Sequence, residues 1–468
     1  MYLSTVIEIL QIIWLLLLIL FFLYIFIPWD TLKRKWLGEY GECETNDIEL
    51  TEREDETNQP MVKYNYESYN QDLKLERIQS GLTETDNDQF NYQDLLKVYS
   101  HPQFLKNYQY ALNINFEEKL KIYHQIYKQK LNDIRECEAK YESNSNIYLQ
   151  HDTTLDRLKR EKSEIERIIN ILKYRKENNS LAKIERNFEL MLFNSSYGFD
   201  SLVGREDIKD YLALKIYTFS QNPKIFFSNY QNIIITGKSG IGKTKLGESI
   251  GYIYAKSGIL ARNKFRVVTA QDLTSKYVND SGQVTREIIL SCLEGFLMID
   301  EAYELGNSQR SLYSHNSQAT TELVNLLSTY KGLSVVAAAG YRKDMDQFKE
   351  SNKGIRRRFP DELYLRSYSS KELTDILIMS IYKTAPDIKI DQHDANTIYT
   401  IVKYIYETDK KIFDKQAGDM EILSSHITRA IYGNNKRTWV AGKTKNNSYL
   451  IINGVKSYLR TKGVSLKI

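Results

Sequence analysis

Asn232-Ile-Ile-Ile-Thr236 is a short apolar run that passes without a spacer into Gly237, Lys238, Ser239, Gly240, Ile241, Gly242, Lys243 and Thr244, and an amphipathic stretch follows at once. Nothing else in the chain narrows the fold so far, because GxxxxGKT has a mechanism only as the turn between a buried strand and a helix. The glycines let main-chain N–H groups wrap a phosphate, and the Lys243 ammonium offers a point charge to β and γ oxygens. The Thr244 hydroxyl can ligate Mg2+ at the helix N-terminus. The expectation is a site for ATP and Mg2+ in a strand-loop-helix unit of an α/β fold.

A partner motif lies downstream. Gly295-Phe-Leu-Met-Ile-Asp300-Glu301 is an apolar strand that ends in two carboxylates. Asp300 is expected to hold Mg2+ through water, and Glu301 to polarise the attacking water as general base. The alternative is a surface acidic pair with no such role. Adjacent carboxylates at this point separate the chain from P-loop kinases, which pass phosphate to a second substrate, and indicate hydrolysis of ATP.

The N-terminal part reads differently. Ile12 to Ile27 is unbroken apolar sequence, and extended back to Thr5 it reaches the roughly 20 residues that cross a bilayer. No basic residue precedes it and Pro28-Trp29-Asp30 follows, so residues 5–27 fit a retained membrane helix better than a cleaved signal peptide. Lys33, Arg34 and Lys35 put the positive flank on the C-terminal side, which places the rest of the chain in the cytosol. Residues 37–60 are acidic and poor in large hydrophobes, as in a linker. Within residues 61–195, Phe116 to Ile134 and Leu155 to Leu192 look helical. In the second, Leu158, Ile165 and Leu172 recur every seventh position, which fits a short coiled coil, a helical hairpin or an amphipathic helix packed on its own domain.

Composition closes off other classes. The 64 basic and 60 acidic residues leave a formal charge of +4, too balanced for bulk attraction to nucleic acid, so nucleic acid is not an expected partner. Cys43, Cys137 and Cys292 are far apart without ligand-like spacing, which supports neither a disulfide framework nor a zinc site.

Taken with Leu202-Val203-Gly204, the segments GKSGIGKT, FLMIDEAYEL, VVAAAGYRKDM and NKGIRRRF make the chain from about 197 to 430 resemble the AAA+ ATPases of the CbbX-like (red-type rubisco activase) and stage V sporulation protein K group. The resemblance implies an αβα large subdomain, here residues 196–365, and a small helical lid with a C-terminal extension over 366–468. It also implies a ring homo-oligomer, a hexamer in that group. Val203 and Gly204 would border the adenine. Arg358 falls where the group places the arginine finger that reaches the γ-phosphate of the next subunit, with Arg357 and Arg356 as less favoured choices and a plain basic turn as the alternative.

The sequence departs from that pattern in several places. Tyr341 follows the fourth core strand, where the wider superfamily keeps a small polar sensor, and Gln318-Ala319 replaces a glutamate-alanine pair. Gly418-Asp-Met-Glu421 stands where related proteins present an arginine to the γ-phosphate, a part that an acceptor-only carboxylate cannot play, with Arg429 two helical turns on as a substitute. Tyr277 aligns with an aromatic that grips a polypeptide in the ring's channel, the alternative being a core tyrosine. The function expected from all this is a membrane-anchored ATPase that remodels a protein client. The rivals are a nucleotide-switched scaffold with weak hydrolysis and, less favoured, a nucleic-acid motor.

Overall fold

The computed structural model describes residues 47–49, 89–143, 148–274, 281–306, 315–433 and 447–464. The chain divides into two units, residues 1–46, which lie outside that set, and residues 47–468. The expected membrane helix at 5–27 therefore falls outside the described residues, among which no helix is long and apolar enough to cross a membrane.

The elements in chain order begin with strand β1 (Asp47–Glu49) and the helices α1 (Tyr92–Val98), α2 (Pro102–Ser143), α3 (Tyr148–Glu177), α4 (Leu181–Phe193) and α5 (Glu206–Gln221). The alternating section comes next: β2 (Ile233–Gly237), α6 (Lys243–Lys256), β3 (Lys264–Thr269), α7 (Ser281–Ser291), β4 (Phe296–Asp300), α8 (His315–Thr329), β5 (Val335–Gly340), α9 (Met345–Ser351) and β6 (Asp361–Leu365). Four helices end it: α10 (Ser370–Thr384), α11 (Gln392–Thr408), α12 (Ala417–Gly433) and α13 (Asn447–Thr461).

The sheet order is β1-β3-β4-β5-β2-β6, and every pairing except β1 with β3 is parallel. Parallel strands covered on both faces need continuous apolar sequence, which is why β2, β4 and β5 read as unbroken runs and are buried almost throughout. With β2 flanked by β5 and the edge strand β6, the loop leaving β2 emerges one strand in from that side, at the carboxyl edge, where ligands sit in open α/β folds.

Three expectations change. Part of the 37–60 linker is a strand: β1 adds antiparallel to the sheet edge with Asp47 in register with Arg266 and Glu49 with Lys264. The first predicted helix, Phe116 to Ile134, is the middle of the much longer α2. The second, Leu155 to Leu192, is two helices, broken at Asn178-Asn179 and restarted by Ser180, whose side chain caps the Lys183 N–H.

The Leu158, Ile165, Leu172 seam belongs to a hairpin rather than to a free coiled coil. Ion pairs Lys176–Glu117, Lys130–Glu161 and Lys159–Glu138 run in opposite senses along the two helices, so α3 lies antiparallel on α2. Ile165, Ile168 and Leu172 share one core with the sheet. On α2, the Tyr108 hydroxyl donates to the Ser257 carbonyl at 2.9 Å and Asn115 to Gly258 at 3.1 Å. Lys119, fully buried, meets the equally buried Glu294 at 2.5 Å and donates to the Ile259 carbonyl at 2.8 Å. Two charges taken out of water in this way persist only when each has partners, and here they dock the hairpin at the entry to β4.

The last four helices form a separate layer. Ser369 and Glu372 make the reciprocal capping box that starts α10. Asp419, buried in α12, pairs with Lys462 beyond α13 at 2.8 Å and fixes the two helices together.

Candidate active site

At the carboxyl edge of the sheet the phosphate loop closes on itself. Gly240 and Gly242 have φ of +66° and +95°, a region that side-chain-bearing residues rarely occupy, so the loop needs glycine at both points. Lys243 opens α6, and its ammonium donates to the loop's own carbonyls, Gly237 at 3.3 Å and Lys238 at 3.1 Å. It also lies 5.1 Å from the Tyr341 ring centroid. Burial pulls its pKa down, while Asp300 and Glu301 pull it back up. Thr244 is exposed in the first turn of the same helix.

Asp300 ends β4, one strand away from β2 across β5. Its Oδ1 accepts the Glu301 N–H at 3.0 Å. Glu301 itself is exposed, with φ at +50°. A non-glycine residue held in that conformation is strained, and strain of this kind gathers at working sites. Tyr303 follows, 6.1 Å from the Tyr341 ring, and its hydroxyl is pushed up to about 12 by burial and then by Glu301 and Glu304. The structure thus brings Lys243, Asp300, Glu301 and Tyr341 to one edge.

Val203 and Gly204 sit in the turn before α5, against the terminal helical layer. The Gly204 carbonyl accepts from Arg366 at 2.9 Å, and Arg366 is clasped by Glu372 at 2.6 Å. The Glu372 carboxylate occupies the place that a Cβ on Gly204 would need. Arg205, buried, stacks on Tyr368 with 3.9 Å from guanidinium carbon to ring centroid and donates to the Arg366 carbonyl at 2.7 Å. Sequence reasoning missed Arg205, Arg366 and Glu372. Ser369 and Glu372 have the spacing of a capping box, a signal for a helix start, but nothing local joins Glu372 to Gly204.

The helical layer also reaches the phosphate loop. The Gly418 N–H donates to the Gly240 carbonyl at 3.2 Å, and a Cβ on Gly240 would stand 2.2 Å from the Lys415 carbonyl oxygen. The Gly418-Asp-Met-Glu421 segment is therefore a neighbour of the loop, as its alignment implied. Asp419 of that segment is turned inward on Lys462, whereas Glu421 is exposed and its charge acts on Lys245 of α6. Arg429 is exposed further along α12, beside His426, and Ala319 is buried on α8.

Arg358 is elsewhere. Asn232, at the start of β2, donates to the Arg358 carbonyl at 2.8 Å, so this arginine stands at the amino edge of the strand whose other end carries the loop. Five residues of strand separate the two ends by about 16 Å. Its side chain bonds Ser328 and Gly354, while Arg356 pairs with Glu350 at 3.5 Å and Arg357 is exposed. Tyr277 lies outside the described residues.

No group of three or more candidate metal ligands occurs among the described residues. Thr244, exposed at the start of α6, and Asp300, at the end of β4, are the two side chains at this edge that could hold Mg2+, which takes one or two protein ligands and keeps most of its waters.

Comparison with known proteins bears on the same segment. Residues 233–367 match the family described as ATPase family associated with various cellular activities (AAA). A putative cfxQ-like protein of Acanthamoeba polyphaga mimivirus is 27% identical over 252 residues, covering 53% of this chain and 59% of its own. ESX-3 secretion system protein EccA3 of Mycolicibacterium smegmatis is 31% identical over 163 residues, 35% of this chain and 27% of its own. A protein CfxQ homolog of Pyropia yezoensis is 30% identical over 172 residues, 37% of this chain and 55% of its own. The chain thus spans between about a quarter and three fifths of the length of these relatives. The AAA segment runs from β2 to just past β6 and includes Lys243, Asp300, Glu301 and Arg358.

Proposed function

We propose that the chain is an AAA+ ATPase that forms a ring, a hexamer by the family resemblance, and couples ATP binding and hydrolysis to remodelling of a protein client. Lys243 and the glycine loop take the phosphates, and Thr244 and Asp300 hold Mg2+. Mg2+ held there would supply positive charge to offset that of the phosphates. Glu301 removes a proton from the attacking water. Arg358 serves the neighbouring subunit's γ-phosphate.

The observation that carries this reading is the split of one catalytic set between two edges of the sheet. Lys243 and the acidic pair share the carboxyl edge, while Arg358 is tied to the amino end of β2, so with Arg358 as the finger the site would be completed by a second copy. The secretion-system relative favours a protein as client. Residues 5–27 are proposed as the anchor, with the ATPase in the cytosol, and Tyr277 as the client-gripping aromatic. The glutamate at 421, beside the loop's neighbour Gly418, favours a second reading in which slow hydrolysis makes bound ATP an assembly signal.

Substituting Glu301→Gln should hold ATP and trap the client. Its use as bait in the presence of ATP should enrich a protein that the Lys243→Ala form does not. Equal recovery with both forms would count against remodelling, and turnover by the wild type at a rate far below the rate of client release would favour the scaffold.

A further inference from the structure

The Arg358 guanidinium is held in a cradle that neither of its arginine neighbours has. Its Nε and one terminal nitrogen donate to the Ser328 hydroxyl oxygen at 3.1 and 2.7 Å, and the other terminal nitrogen donates to the Gly354 carbonyl at 3.3 Å. Ser328 gives its own proton to the Val324 carbonyl at 2.8 Å. A hydroxyl has one proton and two lone pairs, so Ser328 is fully committed: the proton fixes its rotamer on α8 and both lone pairs face the guanidinium. The Arg358 main chain is pinned as well, through the Asn232 amide, which also accepts the Val336 N–H at 2.9 Å.

We propose that Ser328 is a positioning residue that pre-orients Arg358 for the neighbouring subunit's γ-phosphate. The proposal rests on Arg358 being the finger. Of the five guanidinium N–H groups, three are used in these bonds, which leaves one on each terminal nitrogen, the pair that grips two phosphate oxygens at once. The holder is neutral. A carboxylate at 328 would fix the geometry equally well but would cancel the charge that the transition state needs, whereas a serine oxygen orients the fork and leaves its charge available. Fixing the plane beforehand removes rotamer freedom that would otherwise be lost in the transition state.

The test is steady-state ATPase and nucleotide affinity of the full chain as Ser328→Ala, Ser328→Thr, Arg358→Ala and the Ser328→Ala/Arg358→Ala double variant. Ser328→Ala should lower kcat about tenfold with nucleotide affinity unchanged, and Ser328→Thr, which keeps the hydroxyl, should restore most of it. In the Arg358→Ala background the Ser328→Ala change should have no further effect on residual turnover. If it lowers residual turnover there by the same factor, or if it leaves wild-type kcat intact, Ser328 does not act through Arg358. If Arg358→Ala itself leaves kcat unchanged, the finger assignment fails and the proposal with it.

Discussion

Lys243 rests its ammonium on two carbonyls of its own loop, a weak holding pattern that phosphate oxygens would replace. Lys243→Ala should weaken ATP binding by about two orders of magnitude, because the β and γ charges lose the cation that opens α6 while the fold stays intact. A titration with a fluorescent ATP analogue, checked by circular dichroism, reads both. Glu301→Gln should do the reverse, keeping affinity and lowering kcat by about 100-fold or more, since an amide cannot take the water's proton. Retained turnover in that variant would remove Glu301 from the chemistry. These residues were legible because each sits in a contiguous motif beside a strand. Arg205, Arg366 and Glu372 were not, because their partners, Tyr368 and Gly204, are set by how the terminal helices fold back over the turn before α5.

Among the elements, α10 carries an acid whose environment opposes its charge. Burial, followed by the nearby Glu372, raises the Asp375 carboxyl from 3.8 to about 6, against a partial offset from Lys371. The folded state then binds more protons than the unfolded one across that interval, so stability is highest below about pH 4 for this group and is lost as pH rises to 6. Asp375→Asn should flatten that dependence and raise stability at pH 7 by at most about 3 kcal/mol, measured as melting temperature against pH. A steeper dependence in the variant would contradict the assignment. On α2, Lys119→Ala leaves Glu294 buried without its cation and should cost about 3–5 kcal/mol, whereas Lys119→Met with Glu294→Leu should recover much of the loss. Urea unfolding of the three forms decides it. Strands β2 and β4 were legible from unbroken apolar runs, and the middle of α2 and much of α3 and α4 from their helical pattern. The break at Asn178-Asn179 was hidden because the seven-residue spacing ends at Leu172, just before it, and Ile184, Phe188 and Met191 resume an apolar face on α4. The edge strand β1 was hidden because its three residues carry two acids and pair only with a partner that is far away in sequence.

For the whole molecule, the sheet and the long hairpin share one hydrophobic core. The buried contacts of Tyr108, Asn115 and Lys119 with residues 257–259 and Glu294 lie at the opposite edge from the phosphate loop, so these contacts fix the hairpin to the core away from that loop. The proposed catalytic set is divided by the same sheet, with Glu301 at one edge and Arg358 at the other. Two kinds of defective subunit should therefore repair each other. Arg358→Ala and Glu301→Gln chains, each alone, should turn over ATP at a small fraction of the wild-type rate, with the arginine loss alone worth about 10³ or more. In rings shown to contain both, an intact Glu301 from one subunit meets an intact Arg358 from the next, and turnover should return toward the share of such interfaces. Mixed rings that remain as inactive as the separate variants would contradict a site completed between subunits.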